Sequence, residues 1–130
     1  MVSDRVGDFI IRLKNAGAIG SRTATMPHSK HLEAIANKLK DLGFIERVEV
    51  SKKFPPTMEV TLAYDDRGNH KIRGVKRVSK PGRRLYVDST SAHSVKNGLG
   101  ARLISTPKGV LSDSEARKVH VGGEDLFEIW

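Results

Sequence analysis

The sequence predicts an α+β fold, a two-helix, three-strand half packed against a mainly β half with short helices. Three observations predict it. Two helix-period apolar patterns fall before residue 43, strand-length apolar runs dominate after residue 66, and the turn-forming cluster Asp65-Asp66-Arg67-Gly68-Asn69 separates the two regions. The expected organisation is an N-terminal α+β domain over residues 1–66, a basic connecting strand and turn over residues 67–82, and a mainly β domain over residues 83–130. Each half is small enough to be marginal alone, so the two are expected to pack together.

The elements follow in order. Ser3 is placed to cap a first helix, with Asp4 in its first turn, where a carboxylate suits the helix dipole. Val6, Phe9, Ile10 and Leu13 recur at helical spacing, and the pattern ends near Asn15 with Gly17 as the breaker. Gly7 costs this helix about 1 kcal/mol relative to alanine. Thr23 to Met26 is a short strand stopped by Pro27. Ser29 caps a second helix whose stripe is Leu32, Ile35, Ala36, Leu39 and Leu42, closed by Gly43. Phe44 to Val50 reads as a strand, Pro55-Pro56 breaks the chain, and Met58, Val60, Leu62 and Tyr64 alternate as a half-buried strand.

In the second half, Ile72 and Val78 mark one face of an extended basic strand, with Val75 on the other. Lys80-Pro81-Gly82 has proline and glycine in type II turn positions. Leu85 and Val87 alternate with Arg84, Tyr86 and Asp88 in the next strand. Ala92 to Asn97 reads as a short helix ending at Gly98. Leu103-Ile104 and Val110-Leu111 flank the turn Ser105-Thr106-Pro107-Lys108-Gly109. Ser112 caps a helix through Lys118, with capping-box spacing to Glu115. Gly122-Gly123 permits a tight turn, and Leu126 to Trp130 is the last strand.

Composition narrows the function. The 130 residues carry 23 Lys and Arg against 15 Asp and Glu, a net charge of +8. Eight of the cations, Arg67, Lys71, Arg73, Lys76, Arg77, Lys80, Arg83 and Arg84, fall in residues 67–84 with no acid among them. The other 15 Lys and Arg match the 15 acids, so this one segment carries the whole excess. Such a segment calls for a polyanion, nucleic acid first and an anionic membrane surface second; the bland alternative is a solvated strand face. Cysteine is absent, which excludes disulfides and thiolate metal sites. No apolar run approaches bilayer length and no signal peptide opens the chain, so a cytoplasmic protein is expected.

The chemistry of binding concentrates in Ser105-Thr106-Pro107-Lys108-Gly109. Hydroxyls and backbone N–H groups suit phosphate and ribose oxygens, lysine suits a phosphate as a point charge, and glycine permits close backbone approach. Ser29 and Lys30 at a helix N-terminus form a second phosphate candidate, although Ser29 also has a capping role to fill. Tyr86 among arginines can stack on an exposed base or serve as a sheet aromatic. Lys76, Arg77 and Arg84 are candidate phosphate contacts. Glu124 repels phosphate, and its candidate roles are a base amino group, a ribose hydroxyl, or support of the serine–threonine turn.

Four motifs of the last third, in their order and spacing, resemble the bacterial ribosomal protein S-eight family: Asn97-Gly98-Leu99-Gly100, Ser105 to Gly109, Asp113-Ser114-Glu115-Ala116-Arg117, and Gly122-Gly123-Glu124 before Trp130. Met26-Pro27-His28-Ser29-Lys30 resembles the family's Met-Pro-x-Ser-Lys turn. The Pro81-Gly82 turn ahead of Arg84-Leu85-Tyr86 matches as well, so the resemblance covers nearly the whole chain. Pro107 departs from it, standing where the family usually has serine. The resemblance implies a protein that binds the central domain of small-subunit ribosomal RNA early in assembly and helps form the small-subunit platform. It further implies contact with small-subunit proteins five and twelve, RNA-facing Arg12 and Lys14, and in some members repression of the operon messenger. No cofactor is expected, and a monomer is expected outside the ribosome.

Enzyme readings fare poorly. Ser105 and Lys108 have the serine–lysine spacing of penicillin-binding enzymes, but the partner motifs of that chemistry are missing. Gly98-Leu99-Gly100 lacks the third glycine and the preceding strand of a dinucleotide loop. His28, His31, His70, His93 and His120 are scattered, and Asp65-Asp66 sits where a turn favours aspartate. A nucleic-acid-processing enzyme would want a clustered acidic or Cys/His metal set, and a peripheral membrane protein would want a broader apolar helix face.

The charge distribution predicts that affinity for RNA falls steeply with salt. Contact with about five phosphates gives a log–log slope of roughly −3.5 to −4.5. Affinity measured across a salt series checks it, and a slope near zero removes the argument from charge.

Overall fold

The computed structural model describes residues 4–89, 95 and 100–130, and divides into two compact units, residues 8–73 and residues 1–7 with 74–130. Of the expected helix from Ala92 to Asn97 only Val95 is among the described residues, and Ser3 lies outside them. Among the described residues, three helices and eight strands in two sheets make the α+β fold expected from the pattern.

The first unit holds most of α1 (Arg5–Ala18), then β1 (Thr23–Pro27), α2 (Lys30–Asp41), β2 (Ile45–Ser51) and β3 (Thr57–Leu62). The sheet order is β1-β3-β2, antiparallel throughout. Met58, Val60 and Leu62 bury one face of β3, while α2 buries Leu32, Ile35, Ala36 and Leu39 and α1 buries Phe9, Ile10 and Leu13. Leu42, counted in the apolar stripe, instead caps the C-terminus of α2 and is partly exposed. Ser29 accepts from the Leu32 N–H at 3.1 Å, so its hydroxyl caps α2.

At the start of α1, Asp4 Oδ1 accepts from the Gly7 N–H at 3.0 Å. Gly7 has a steric reason to be there: a Cβ would lie 2.5 Å from the Asp4 carboxylate. At the other end the helix runs through Gly17 to Ala18. Gly17 is no breaker, since a Cβ there would lie 2.3 Å from the His70 ring. The left-handed residue that ends the helix is Gly20, at φ 75°, where the Ser21 N–H reaches back to the Ala16 carbonyl at 2.9 Å.

The second unit holds β4 (Val75–Arg77), β5 (Tyr86–Val87), β6 (Ala101–Thr106), β7 (Gly109–Ser112), α3 (Asp113–Val119) and β8 (Gly123–Ile129). Its sheet runs β4-β8-β6-β7, with β5 also paired to β8. The basic segment forms only a three-residue strand. The final strand begins at Gly123 rather than Leu126, so Gly122-Gly123 is not a free turn. A Cβ on Gly123 would lie 2.0 Å from the Ser105 carbonyl oxygen, and one on Gly122 would lie 2.4 Å from that of Val87. The capping box of α3 is present, with Ser112 and Glu115 bonding each other's backbone N–H. Lys80 and Arg83 exchange backbone hydrogen bonds at 2.9 and 3.0 Å around Pro81-Gly82. Gly82 lacks the positive φ of a type II turn, so this turn is of another type.

Gly123→Ala is therefore expected to cost about 1–3 kcal/mol, because the obstructing atoms are backbone and cannot rotate away. Gly82→Ala is expected to stay within about 0.5 kcal/mol or to stabilise slightly, since nothing lies within 4 Å of its Cβ position. Urea unfolding of the two variants checks both statements.

Candidate nucleic-acid interface

The turn between β6 and β7 is stitched by its own threonine. Thr106 Oγ1 donates to the Gly109 carbonyl at 2.7 Å and accepts from the Lys108 N–H at 3.1 Å. Gly109 supplies the φ of 110° that closes the hairpin. Pro107, with its fixed φ and no N–H to satisfy, stands exposed beside exposed Lys108. Among the described residues, the Ser105 hydroxyl has no protein partner. The hydroxyl pair thus divides: one is committed to the turn and the other is available to a ligand.

The register places Ser105 opposite Glu124 on β8, and Glu124 opposite Tyr86 on β5. Directly paired residues share a face, so the three form one row across three strands. The row requires β5 and β6 to approach Gly122 and Gly123 more closely than any side chain allows. Tyr86 is 71% exposed, an aromatic ring turned to solvent.

Glu124 is held by its neighbours. Its Oε2 accepts from Ser79 Oγ at 2.6 Å and from Arg84 Nη1 at 2.8 Å, and Ser79 Oγ accepts from the Leu85 N–H at 3.1 Å. Burial pushes the Glu124 carboxyl up, but the bonds from Ser79 and Arg84 outweigh it and hold the group below its usual range. Glu124 supports the approach to β5; its side-chain bonds do not reach the serine–threonine turn. Ser79, fully buried, carries no sequence signal for this role, because only the fold brings residues 79, 84 and 124 together.

The other predicted cations divide in the same way. The Arg77 side chain is only 12% exposed. Its Nη2 lies 3.0 Å from Asp4 Oδ1, and its Nη1 donates to the Leu126 carbonyl at 2.7 Å. Burial opposes ionisation of Asp4, while Arg77 and the Gly7 N–H pull its pKa below the ordinary value. Lys76 is exposed and free of ion pairs among the described residues. It pairs with Glu128, whose partner on β6 is Arg102. Arg102 and Ser105 are an odd number of residues apart on one strand, so Lys76 occupies the face opposite the Ser105–Tyr86 row. Arg102 itself is taken up by Asp125 and by Glu128 at 2.7 Å.

In the first unit, Arg12 bonds Asp8 at 2.8 Å and the Thr25 carbonyl at 3.0 Å. Lys14 and Lys30 are exposed, and Ser29 is occupied as a cap. No group of three His, Cys, Asp or Glu residues able to hold a metal occurs among the described residues, and no helix there is long and apolar enough to cross a membrane.

These groups define a basic α+β protein whose open sheet presents a hydroxyl, an aromatic ring and an exposed lysine, all suited to a nucleic acid. Comparison with known proteins then gives the family. The family model described as Ribosomal protein S8 matches residues 4–130. Relatives named small ribosomal subunit protein uS8 include that of Nautilia profundicola, 42% identical over 100% of both chains. Those of Mycoplasmopsis synoviae, 44% identical over 99% of this chain and 98% of its own, and Acholeplasma laidlawii, 40% identical over 100% and 99%, are similar. The chain belongs to the ribosomal protein S8 family and is a structural constituent of the ribosome.

The carboxylates predict the acid limb of stability. Asp4 and Glu124 have folded pKa values below their unfolded ones, so their contribution is complete above the ordinary carboxylate range near pH 4. It is lost as pH falls through the depressed folded values. Asp125 works in the opposite direction: burial raises its pKa against the pull of Arg102, so protonation relieves its cost. Glu124→Gln is expected to flatten the loss of stability below pH 4, measured by urea unfolding across a pH series. An unchanged acid limb removes Glu124 from the account.

Proposed function

We propose that this protein is a component of the small ribosomal subunit in the cytoplasm and binds the central domain of small-subunit ribosomal RNA as a primary assembly step, helping to form the platform. The observation that carries the proposal is the row Ser105–Glu124–Tyr86 beside the Lys108 turn. Ser105 offers a free hydroxyl for a base edge or ribose 2′-OH, and Tyr86 offers a ring for an unstacked base. Lys108 offers a phosphate contact without sequence information.

Thr106, Gly109 and Pro107 set the shape of the turn, while Glu124, the middle member of the row, and Arg84 tie β5 to β8. Arg84 retains an exposed edge for a phosphate. Arg77 contributes by holding Asp4, whereas Lys76 is the cation of that strand free to meet a phosphate. In the other unit, Lys14, Lys30 and Arg12 supply further cationic contacts and Ser29 organises the turn that carries Lys30. Contact with small-subunit proteins five and twelve, and binding of the protein's own operon messenger, belong to the same proposal through the family. Outside the ribosome the protein is expected to be a monomer, with no catalytic activity.

The expected result is that Tyr86→Ala weakens binding to a central-domain RNA transcript by about 5- to 150-fold, the range for loss of one stacked base. Ser105→Ala is expected to reduce discrimination between cognate and altered RNA, while Lys108→Ala weakens all RNAs and reduces the salt slope by less than one unit. Filter binding checks these, with thermal unfolding confirming the fold. Wild-type affinity in both Tyr86→Ala and Ser105→Ala moves the site elsewhere.

A further inference from the structure

The loop between β2 and β3 contains the most exposed large apolar side chain among the described residues. Phe54 is 96% exposed, at the tip of Ser51-Lys52-Lys53-Phe54-Pro55-Pro56, a run in which all six residues are exposed. Leaving a phenyl ring in water forgoes the favourable burial of its apolar surface, and nothing within the described protein covers it. Two lysines precede the ring, with no acid between Glu49 and Glu59, and neither lysine has an ion-pair partner among the described residues. The two prolines limit the backbone freedom of the tip, and the base of the loop is tied by the His28 N–H donating to the Pro56 carbonyl at 3.1 Å. That bond sets the loop beside the turn that carries Ser29 and exposed Lys30, so three free lysines and one bare ring share this end of the unit.

We infer that Lys52, Lys53 and Phe54 form a second RNA contact, in which the Phe54 ring stacks on an unpaired base and the lysines bind flanking phosphates. A ring that projects between cations on a constrained loop matches the needs of single-stranded RNA, where every base offers a π-face and every linkage a negative charge. A protein groove would use the apolar volume of the ring but not its flat face. The lysines decide for the polyanion, since they would otherwise be brought together against their mutual repulsion with nothing to offset it. The contact extends the proposed ribosomal RNA binding and rests on that proposal, but uses none of the residues assigned to the Ser105–Tyr86 row.

The test is the affinity of the full chain for small-subunit ribosomal RNA, with wild type, Phe54→Ala, Phe54→Leu, Phe54→Trp and Lys52→Ala/Lys53→Ala compared. Phe54→Ala and Phe54→Leu are expected to weaken binding by about 5- to 150-fold, while Phe54→Trp keeps or improves it. The double lysine variant is expected to make the salt slope shallower by about 1.4, the value for two phosphates of a single strand. Because the ring lies outside the core, unfolding midpoints should not move. Failure of the wild type to bind overturns the proposed function itself. Wild-type affinity in Phe54→Ala, with Tyr86→Ala still impaired, overturns only this inference. Full binding by Phe54→Leu also overturns it, since an apolar pocket, such as a partner protein would offer, accepts leucine where a stacking contact does not.

Discussion

The C-terminal unit depends on one steric constraint, the approach of two strands to a backbone that has no room for a side chain. At Gly122 and Gly123 the neighbouring carbonyls of Val87 and Ser105 occupy the space a Cβ would need. Only with β5 and β6 drawn this close does Glu124 stand between Tyr86 and Ser105. The carboxylate then reaches Ser79 and Arg84, which fasten the start of β5 to β8 and satisfy a group that would be costly to bury alone. The exposed ring of Tyr86 and the free hydroxyl of Ser105 are the outward consequence of this inward fastening.

Charge in this protein is sorted by chemistry as well as by position. Arg77, Arg102 and Arg84 each hold acids within the second unit, and Arg12 does so in the first. A planar guanidinium can satisfy a carboxylate and a carbonyl together, as Arg77 does with Asp4 and Leu126. The lysines at positions 14, 30, 52, 53, 76 and 108 remain exposed. An ammonium group is a strongly hydrated point charge, suited to a phosphate that arrives with its own counterions. Part of the net charge is therefore structural, and the cations left for RNA are fewer than a count of Lys and Arg implies.

Much of the fold was legible because local rules and tertiary packing agree. The stripe of α2, the Ser29 cap, the capping box of α3 and the alternation of Met58, Val60 and Leu62 all stand where periodicity puts them. Glycine was legible as a type but not as a role. Gly17 reads as a helix breaker yet lies within α1 against the His70 ring, while Gly20 takes the left-handed conformation three residues later. Gly7 reads as a weak point of a helix but leaves room for the Asp4 carboxylate. The difference is whether a glycine is needed for its φ or for its missing Cβ, and the second need depends on residues distant in sequence.

The sequence by itself determined the α+β class, the basic excess of residues 67–84, the turn at Ser105 to Gly109 and the family resemblance, because these depend on composition, period and spacing along the chain. Tertiary structure alone decided which groups are free. Thr106 and Ser105 are adjacent hydroxyls, yet one closes its own turn and the other has no partner among the described residues. Arg77 and Lys76 are adjacent cations on β4, yet one is enclosed with Asp4 and the other is exposed. Neighbours in a strand point to opposite faces, and what waits on each face is brought there by strand pairing between residues far apart in the chain.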